Sequence, residues 1–355
     1  MNASQQLSRY DMQKSYQWNY DHAPEPIEIA VPAFDGEWSF CGLEVNSPLG
    51  MPAGPLLNGK WVLYYASLGF DVLTYKTVRS RARDCYPLPN LVPVRTGQLS
   101  GGETRLPSVD QMSGSWAVSF GMPSAKPDVW REDIERTRNA LGEGKLLSVS
   151  VVGTVQDGSS IEELADDYAI CAKWAVESGA DVVETNFSCP NVSTCDGQIY
   201  RDMAAAKNVA SRVRESIGTT PYVIKIGHMT KSEQINALLD AVGANINGIA
   251  MTNSVATTVL DRNGNELFAG ELRGICGTAT RTASLNQMRQ FAQGVAAKGL
   301  NINLIGVGGI GSAEDVVAQL EAGAKAVQIA TAAMIHPAVA CEIRADFARC
   351  SNQRR

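Results

Sequence analysis

The sequence predicts an α/β protein: a (β/α)8 TIM barrel with an N-terminal arm and long βα insertions at the barrel mouth. Three observations carry that expectation. Eight short apolar runs alternate with longer amphipathic stretches, the pattern of an all-parallel sheet, and eight is the number of strands that closes such a barrel. Two of the connections are far longer than an ordinary βα loop. No charge run or linker divides the 355 residues, a length that α/β barrels reach as one domain. A doubly wound open sheet is the alternative, because periodicity does not distinguish an open sheet from a closed one.

In chain order, residues 1–43 form a polar, aromatic-containing arm with a proline-rich middle, HAPEPIEIAVPAF. The arm is expected on the outside or bottom of the barrel, with residues 44–355 as the barrel domain. The first two strand candidates are PLGMPAG (48–54) and DVLTYKT (71–77). Residues 80–130, containing PLPNLVPV and SGGETRLPS, exceed any ordinary connection. LLSVSVV (146–152) leads through the helical stretch SIEELADDYAICAKWAVESG to DVVETN (181–186). YVIKI (222–226) and GIAMT (248–252) follow. Residues 255–282 interrupt again with VLDRNGNELF, where Asn-Gly between apolar flanks signals a hairpin. INLIGVG (302–308) precedes SAEDVVAQLEAGA, a helix opening on a serine N-cap, and AVQIA (326–330) is the last strand. Long insertions of this kind surround the active-site mouth of a barrel.

Composition excludes several function classes. A formal net charge of −6 gives no electrostatic attraction to nucleic acid or to an anionic membrane. The eight cysteines include no CxxC pair and there are three histidines, so no metal site is expected. The N-terminus lacks the apolar core of a signal peptide, and no stretch approaches a transmembrane span. The expectation is a soluble, cytoplasmic protein with reduced cysteines and a small-molecule partner.

Catalytic groups of such barrels come from the C-terminal ends of the strands. Those ends carry Ala53 and Gly54, Lys76 and Thr77, Asn186 through Asn191, Lys225, Asn253 and Ser254, Gly308 and Gly309, and Ala330 and Thr331. A strand lysine is ordinarily solvated, its stem lying over apolar neighbours. Lys76 and Lys225, however, end runs that should be buried, where an unpartnered amine is costly and an anionic ligand would supply the partner. GVGGIG (306–311) matches the dinucleotide fingerprint, but it comes late in the chain and the next strand ends without an acid for a ribose. What survives is a phosphate cradle of glycine amides, in the place where barrels hold phosphate. Asn186, Asn191 and Asn253 are each explicable as turn residues. Together with Ser254 they offer donors and acceptors suited to a planar, amide-rich ligand. Cys189, between Ser188 and Pro190, is either a buried structural thiol or an acid/base group with an unperturbed pKa of about 8.5.

ETNFSCPN, YVIKIG, MTNS and LIGVGGIGSAEDVVAQLEAGA resemble the dihydroorotate dehydrogenases, FMN-dependent barrel oxidoreductases of pyrimidine metabolism, in order from about residue 44 to 335. The resemblance implies Cys189 as the catalytic base, the mark of the soluble class. It implies FMN held by Ala53, Gly54, Lys76, Thr77, Asn186, Lys225, Gly277, Gly308, Gly309, Ala330 and Thr331, with Lys225 at the flavin N1–O2 edge. It implies a pyrimidine bound by Lys76, Asn186, Asn191, Asn253 and Ser254, no metal, and leaves a homodimer open. Two departures bear on the substrate: VSFGMPS puts Val118 where the family has an asparagine and Ser124 at the end of that motif, and the segment after Lys76 lacks the family's Gly-Asn-x-x-Pro-Arg. A flavin reductase or desaturase of another small substrate is therefore the alternative. A tRNA-dihydrouridine-synthase-like role is disfavoured by the acidic balance and by the lack of a helical RNA-binding region after residue 335.

Overall fold

A computed structural model describes residues 7–154, 158–188 and 198–352, the side chains of 348–352 excepted. Eight parallel strands close into a barrel: β1 (Leu49–Met51), β2 (Val72–Val78), β3 (Leu146–Val151), β4 (Val182–Asn186), β5 (Tyr222–Lys225), β6 (Gly248–Met251), β7 (Asn303–Val307) and β8 (Ala326–Gln328). Seven fall within the expected apolar runs, and β2 runs one residue past its own, to Val78. The open-sheet alternative is excluded by the pairing of β8 with β1, Val327 opposite Leu49.

Side chains alternate between two environments along each strand. Leu73, Leu147, Val183 and Ile224 face the helical layer, whereas Val72, Leu146, Val182 and Val223 meet inside the barrel. The helices follow their strands: α1 (Gly59–Ser67), α2 (Pro127–Ala140), α3 (Ile161–Glu177), α4 (Met203–Ile217), α5 (Ser232–Val242), α6 (Arg281–Ala297), α7 (Ala313–Glu321), α8 (Thr331–Ile335) and α9 (Val339–Asn352). Local sequence fixes their starts. Ser160 and Ser312 each form a capping box, with Glu163 and Asp315 reaching back. Among the described residues, no helix is long and apolar enough to cross a membrane.

The arm does two jobs. Residues 7–34 run along the outside, where Trp61 Nε1 donates to Asn19 O at 3.0 Å and Tyr64 Oη to Ser8 O at 2.8 Å. Trp38–Phe40 and Leu43–Val45 then form an antiparallel hairpin through Cys41 and Gly42, both at positive φ as a two-residue primed turn requires. Phe40 and Val45 close the barrel bottom against its inward-facing apolar side chains. The hairpin straddles residue 43.

The two long insertions combine into one five-stranded sheet over the mouth, in the order Leu91–Pro93, Ser115–Val118, Arg273–Gly277, Val255–Leu260, Arg105–Pro107. The expected hairpin at Asn263-Gly264 is only a tip. Asp261 Oδ1 accepts from the amides of Asn263 and Asn265, both at 2.8 Å, and Leu260 bridges Glu266. The true partner of Val255–Leu260 is Arg273–Gly277, because that strand must also pair with Ser115–Val118 from the first insertion.

Candidate functional site

Between the strand ends and the insertion sheet lies a cavity of about 460 Å³, within the range of small-molecule sites. Gly54, Lys225, Asn253, Ser254, Gly277, Gly308, Gly309, Ala330 and Thr331 all line it. Ala53 is buried beside Gly54. Cys189 and Asn191 lie outside the described residues.

The glycine end of the cavity is shaped by backbone. Gly308 and Gly309 have φ of 112° and 74°, a region that favours glycine. A Cβ on Gly308 would stand 2.9 Å from Thr280 Oγ1, and one on Gly309 2.6 Å from the Arg281 amide nitrogen. The amides just before α7 are already committed: Gly311 N and Ser312 N donate to Asp315 Oδ2 at 2.9 and 3.1 Å. An anion would therefore be met by the Gly308–Gly309 backbone and by Arg281, which lines the cavity and pairs with Asp315 at 2.7 Å. Sequence reading passed over Arg281. Its signal was a cation at the first position of a helix, where the dipole disfavours positive charge.

Lys225 ends β5 on the cavity floor, 5% exposed, and its ammonium makes no hydrogen bond or ion pair with another described residue. Lys76 and Thr77 go elsewhere. They line a neighbouring cavity of about 600 Å³ together with Cys85, Tyr86 and the arm residues Tyr16 and Tyr20. A register irregularity between Tyr75 and Val78 turns the end of β2, and Thr77 Oγ1 meets Ser150 Oγ at 3.0 Å.

The asparagines are partly engaged by the protein itself. Asn186 Oδ1 accepts from Ser188 N at 3.1 Å, and Asn253 Nδ2 donates to Ser188 O at 3.0 Å. Val118 lines the strand-end cavity in an apolar wall with Leu91, Trp116 and Phe120. Ser124 lies in the neighbouring one, where its Oγ accepts from Arg79 N at 3.0 Å. A thiol among the described residues faces the strand-end cavity: Cys276 donates to Asn253 O at 3.6 Å, and burial pushes its pKa up to about 11 against the opposing pull of Lys225. Gln328 lines the cavity floor, and Glu184 stands inside the barrel outside the cavity lining; both are buried. Among the described residues, no group of three or more His, Cys, Asp and Glu side chains could hold a metal ion.

The chain matches the dihydroorotate dehydrogenase family over residues 37–349. It is 30% identical to a dihydroorotate dehydrogenase of Dictyostelium discoideum, over 93% of this chain and 95% of that one. It is 27% identical to the catalytic subunit of an NAD(+)-dependent dihydroorotate dehydrogenase B of Fusobacterium nucleatum, covering 85% and 88% of the two chains. To a quinone-dependent dihydroorotate dehydrogenase of Bordetella avium the identity is also 27%, covering 91% and 84%. In structure it is similar to the dihydroorotate dehydrogenase of Eimeria tenella solved with ferulenol, with a TM-score of 0.76 at 17% identity, covering 95% and 90% of the chains. With its closed barrel and a cavity at the strand ends, the chain belongs to the dihydroorotate dehydrogenase family of oxidoreductases.

Proposed function

We propose that the protein is an FMN-dependent oxidoreductase that interconverts a CH–CH and a C=C bond of a dihydropyrimidine such as dihydroorotate. The observation that carries the reading is Lys225: a buried ammonium with no hydrogen bond among the described residues, facing a cavity whose far end is a glycine backbone cradle. The residues fit a flavin mononucleotide. Gly308 and Gly309 tolerate no side chain and allow close backbone approach to a phosphate, with Arg281 beside them. Gly54 leaves its wall open, since a Cβ there would meet nothing within 4 Å. Lys225 would neutralise negative charge at the N1–O2 edge of the ring, in a water-poor setting where a fixed charge acts strongly.

Oxidation of a CH–CH bond removes one proton and one hydride. The flavin, when bound, takes the hydride at N5. Cys189 Sγ takes the proton, as the family resemblance implies, and a thiol pKa of about 8.5 lies close enough to neutrality for that role. Asn253 and Ser254 would orient the ring of the substrate, and Asn186, Asn191 and Lys76 complete the set that the resemblance assigns.

A second reading is favoured by Val118. Its apolar side chain in the cavity wall removes an amide contact, and a site that loses a hydrogen-bonding partner loses discrimination for a polar ring. The substrate would then be a different small molecule with an activated C–C bond. Relatives named for NAD(+) and for quinone match equally well, so the acceptor is tested alongside. Anaerobic mixing of the purified, flavin-loaded protein with dihydroorotate decides between the readings: rapid bleaching of the flavin supports the first. Bleaching only by another member of a substrate panel supports the second, and release of FAD or NAD on denaturation overturns both.

A further inference from the structure

A buried carboxyl with no hydrogen-bond partner among the described residues lies inside the barrel. Glu184, in the middle of β4, is 1% exposed, and neither of its carboxylate oxygens has a hydrogen-bond partner among the described residues. Strand alternation sends it inward: Val182 packs in the barrel interior and Val183 in the helical layer. Its strand neighbours are Ser150 on β3 and Val223 on β5, and the next inward residue on β5 after Val223 is Lys225. Ser150 is engaged with Thr77 at 3.0 Å, and Gln328 Nε2 donates to Thr74 Oγ1 at 3.2 Å. These groups stand beside the carboxyl without reaching hydrogen-bond geometry.

A buried carboxyl with no partner and a buried ammonium with no partner are each costly alone. Placed on adjacent strands, facing the same interior, they relieve one another. Among the inward side chains of β4 and β5, which are Val182, Glu184, Asn186, Val223 and Lys225, these two carry the ionisable groups. Burial raises the Glu184 pKa, and Lys225 opposes that rise in part.

We infer that Glu184 is the counter-charge of Lys225, an ionised carboxylate inside the barrel that keeps the ammonium protonated and moderates the positive field it presents to the cavity. Glu184 is thus a positioning residue, acting through Lys225, and its redox consequence rests on the flavin reading above. Glu184→Gln keeps the shape and removes the charge. The flavin in this variant should become easier to reduce, by about tenfold in the equilibrium, or about 30 mV for a two-electron couple. Glu184→Asp, which retains a carboxylate, should stay near wild type. On the flavin-free chain, Glu184→Gln and Lys225→Met should each lower the denaturation midpoint, with the double variant recovering part of the loss. Infrared spectroscopy at about pH 8 should show no carboxylic-acid carbonyl band that disappears in Glu184→Gln. An unchanged potential in flavin-loaded Glu184→Gln, or such a band in the wild type, overturns the inference. Failure to bind any flavin would sink the functional reading instead, and the infrared and denaturation measurements would still decide this one.

Discussion

Gly54 separates the fold from the site. It follows β1, is exposed to the cavity, and has open space where a Cβ would go. Gly54→Leu should therefore leave folding almost untouched. Reduced freedom of the unfolded chain contributes about 0.4–1 kcal/mol in favour, and an exposed leucine costs little, so the melting temperature should move by no more than a few degrees. Binding should respond differently. Each methylene forced into space that another group must occupy costs about 1–3 kcal/mol. A leucine side chain in a cavity of about 460 Å³ brings several into the path of the ring. A loss of at least 3 kcal/mol, more than about 100-fold in Kd, is the minimum expected. Calorimetric titration of flavin-free protein with FMN, beside thermal melts of wild type and variant, measures both quantities. A variant that binds FMN like wild type would remove this cavity from the flavin assignment. A variant that fails to fold would refute the reading of open space at Gly54.

Four other outcomes follow from the proposed function and the fold. Cys189→Ala should bind substrate yet reduce its flavin about 10²–10⁴-fold more slowly, and Cys189→Ser should keep part of the rate with its rise displaced to higher pH, both read by stopped-flow absorbance. Cys276→Ala should leave that pH profile in place, because a thiol pushed up to about 11 stays protonated at neutral pH; a profile that moves would make Cys276 the base. Val118→Asn should raise kcat/KM for dihydroorotate if the apolar wall has redirected specificity, and a wild type already fully active on dihydroorotate would remove that idea. Arg344→Met should cost about 3–5 kcal/mol in chemical denaturation. The arginine pairs with Asp71 below the barrel, both almost fully buried, and also donates to Gly69 O at 2.8 Å and Pro32 O at 3.1 Å, tying α9 to the arm.

The barrel was legible because its strands are buried on both faces and so appear as continuous apolar runs. β2 is VLTYKTV with every residue buried, and no helical period competes there. The insertion sheet was not legible. Its strands are three to six residues long and come from segments more than a hundred residues apart, so no local period announces the pairing of Ser115–Val118 with Arg273–Gly277. The Asn-Gly turn drew attention to the wrong partner for the same reason. At the cavity, Lys225 and the glycines stood out in the sequence because each contradicts its surroundings: a cation ending an apolar strand, a glycine run opening a helix. Glu184 contradicts its surroundings just as plainly in VVETN, yet a strand residue facing inward cannot be told from one facing out until the barrel closes. Lys76 shows the converse. Its type and position in the sequence matched Lys225, but the irregular end of β2 sends it to the neighbouring cavity.

The asparagines gain a meaning that residue type alone did not supply. An amide at a strand end can serve a ligand or a turn, and here Asn186 and Asn253 converge on the backbone of Ser188, one on its N–H and the other on its carbonyl. Ser188 directly precedes Cys189 in the chain. Two side chains from different strand ends therefore fix the peptide units that lead into the proposed base, and a base must be held within hydrogen-bond reach of the proton it takes. Asn253 also lines the cavity beside Ser254, and its carbonyl receives the Cys276 thiol. The same residue thus borders the cavity and holds the backbone that leads to the proposed base. On the proposed function, the strand-end asparagines would then support the approach to the base as well as contact the ring, which separates their role from that of the apolar Val118 on the insertion sheet.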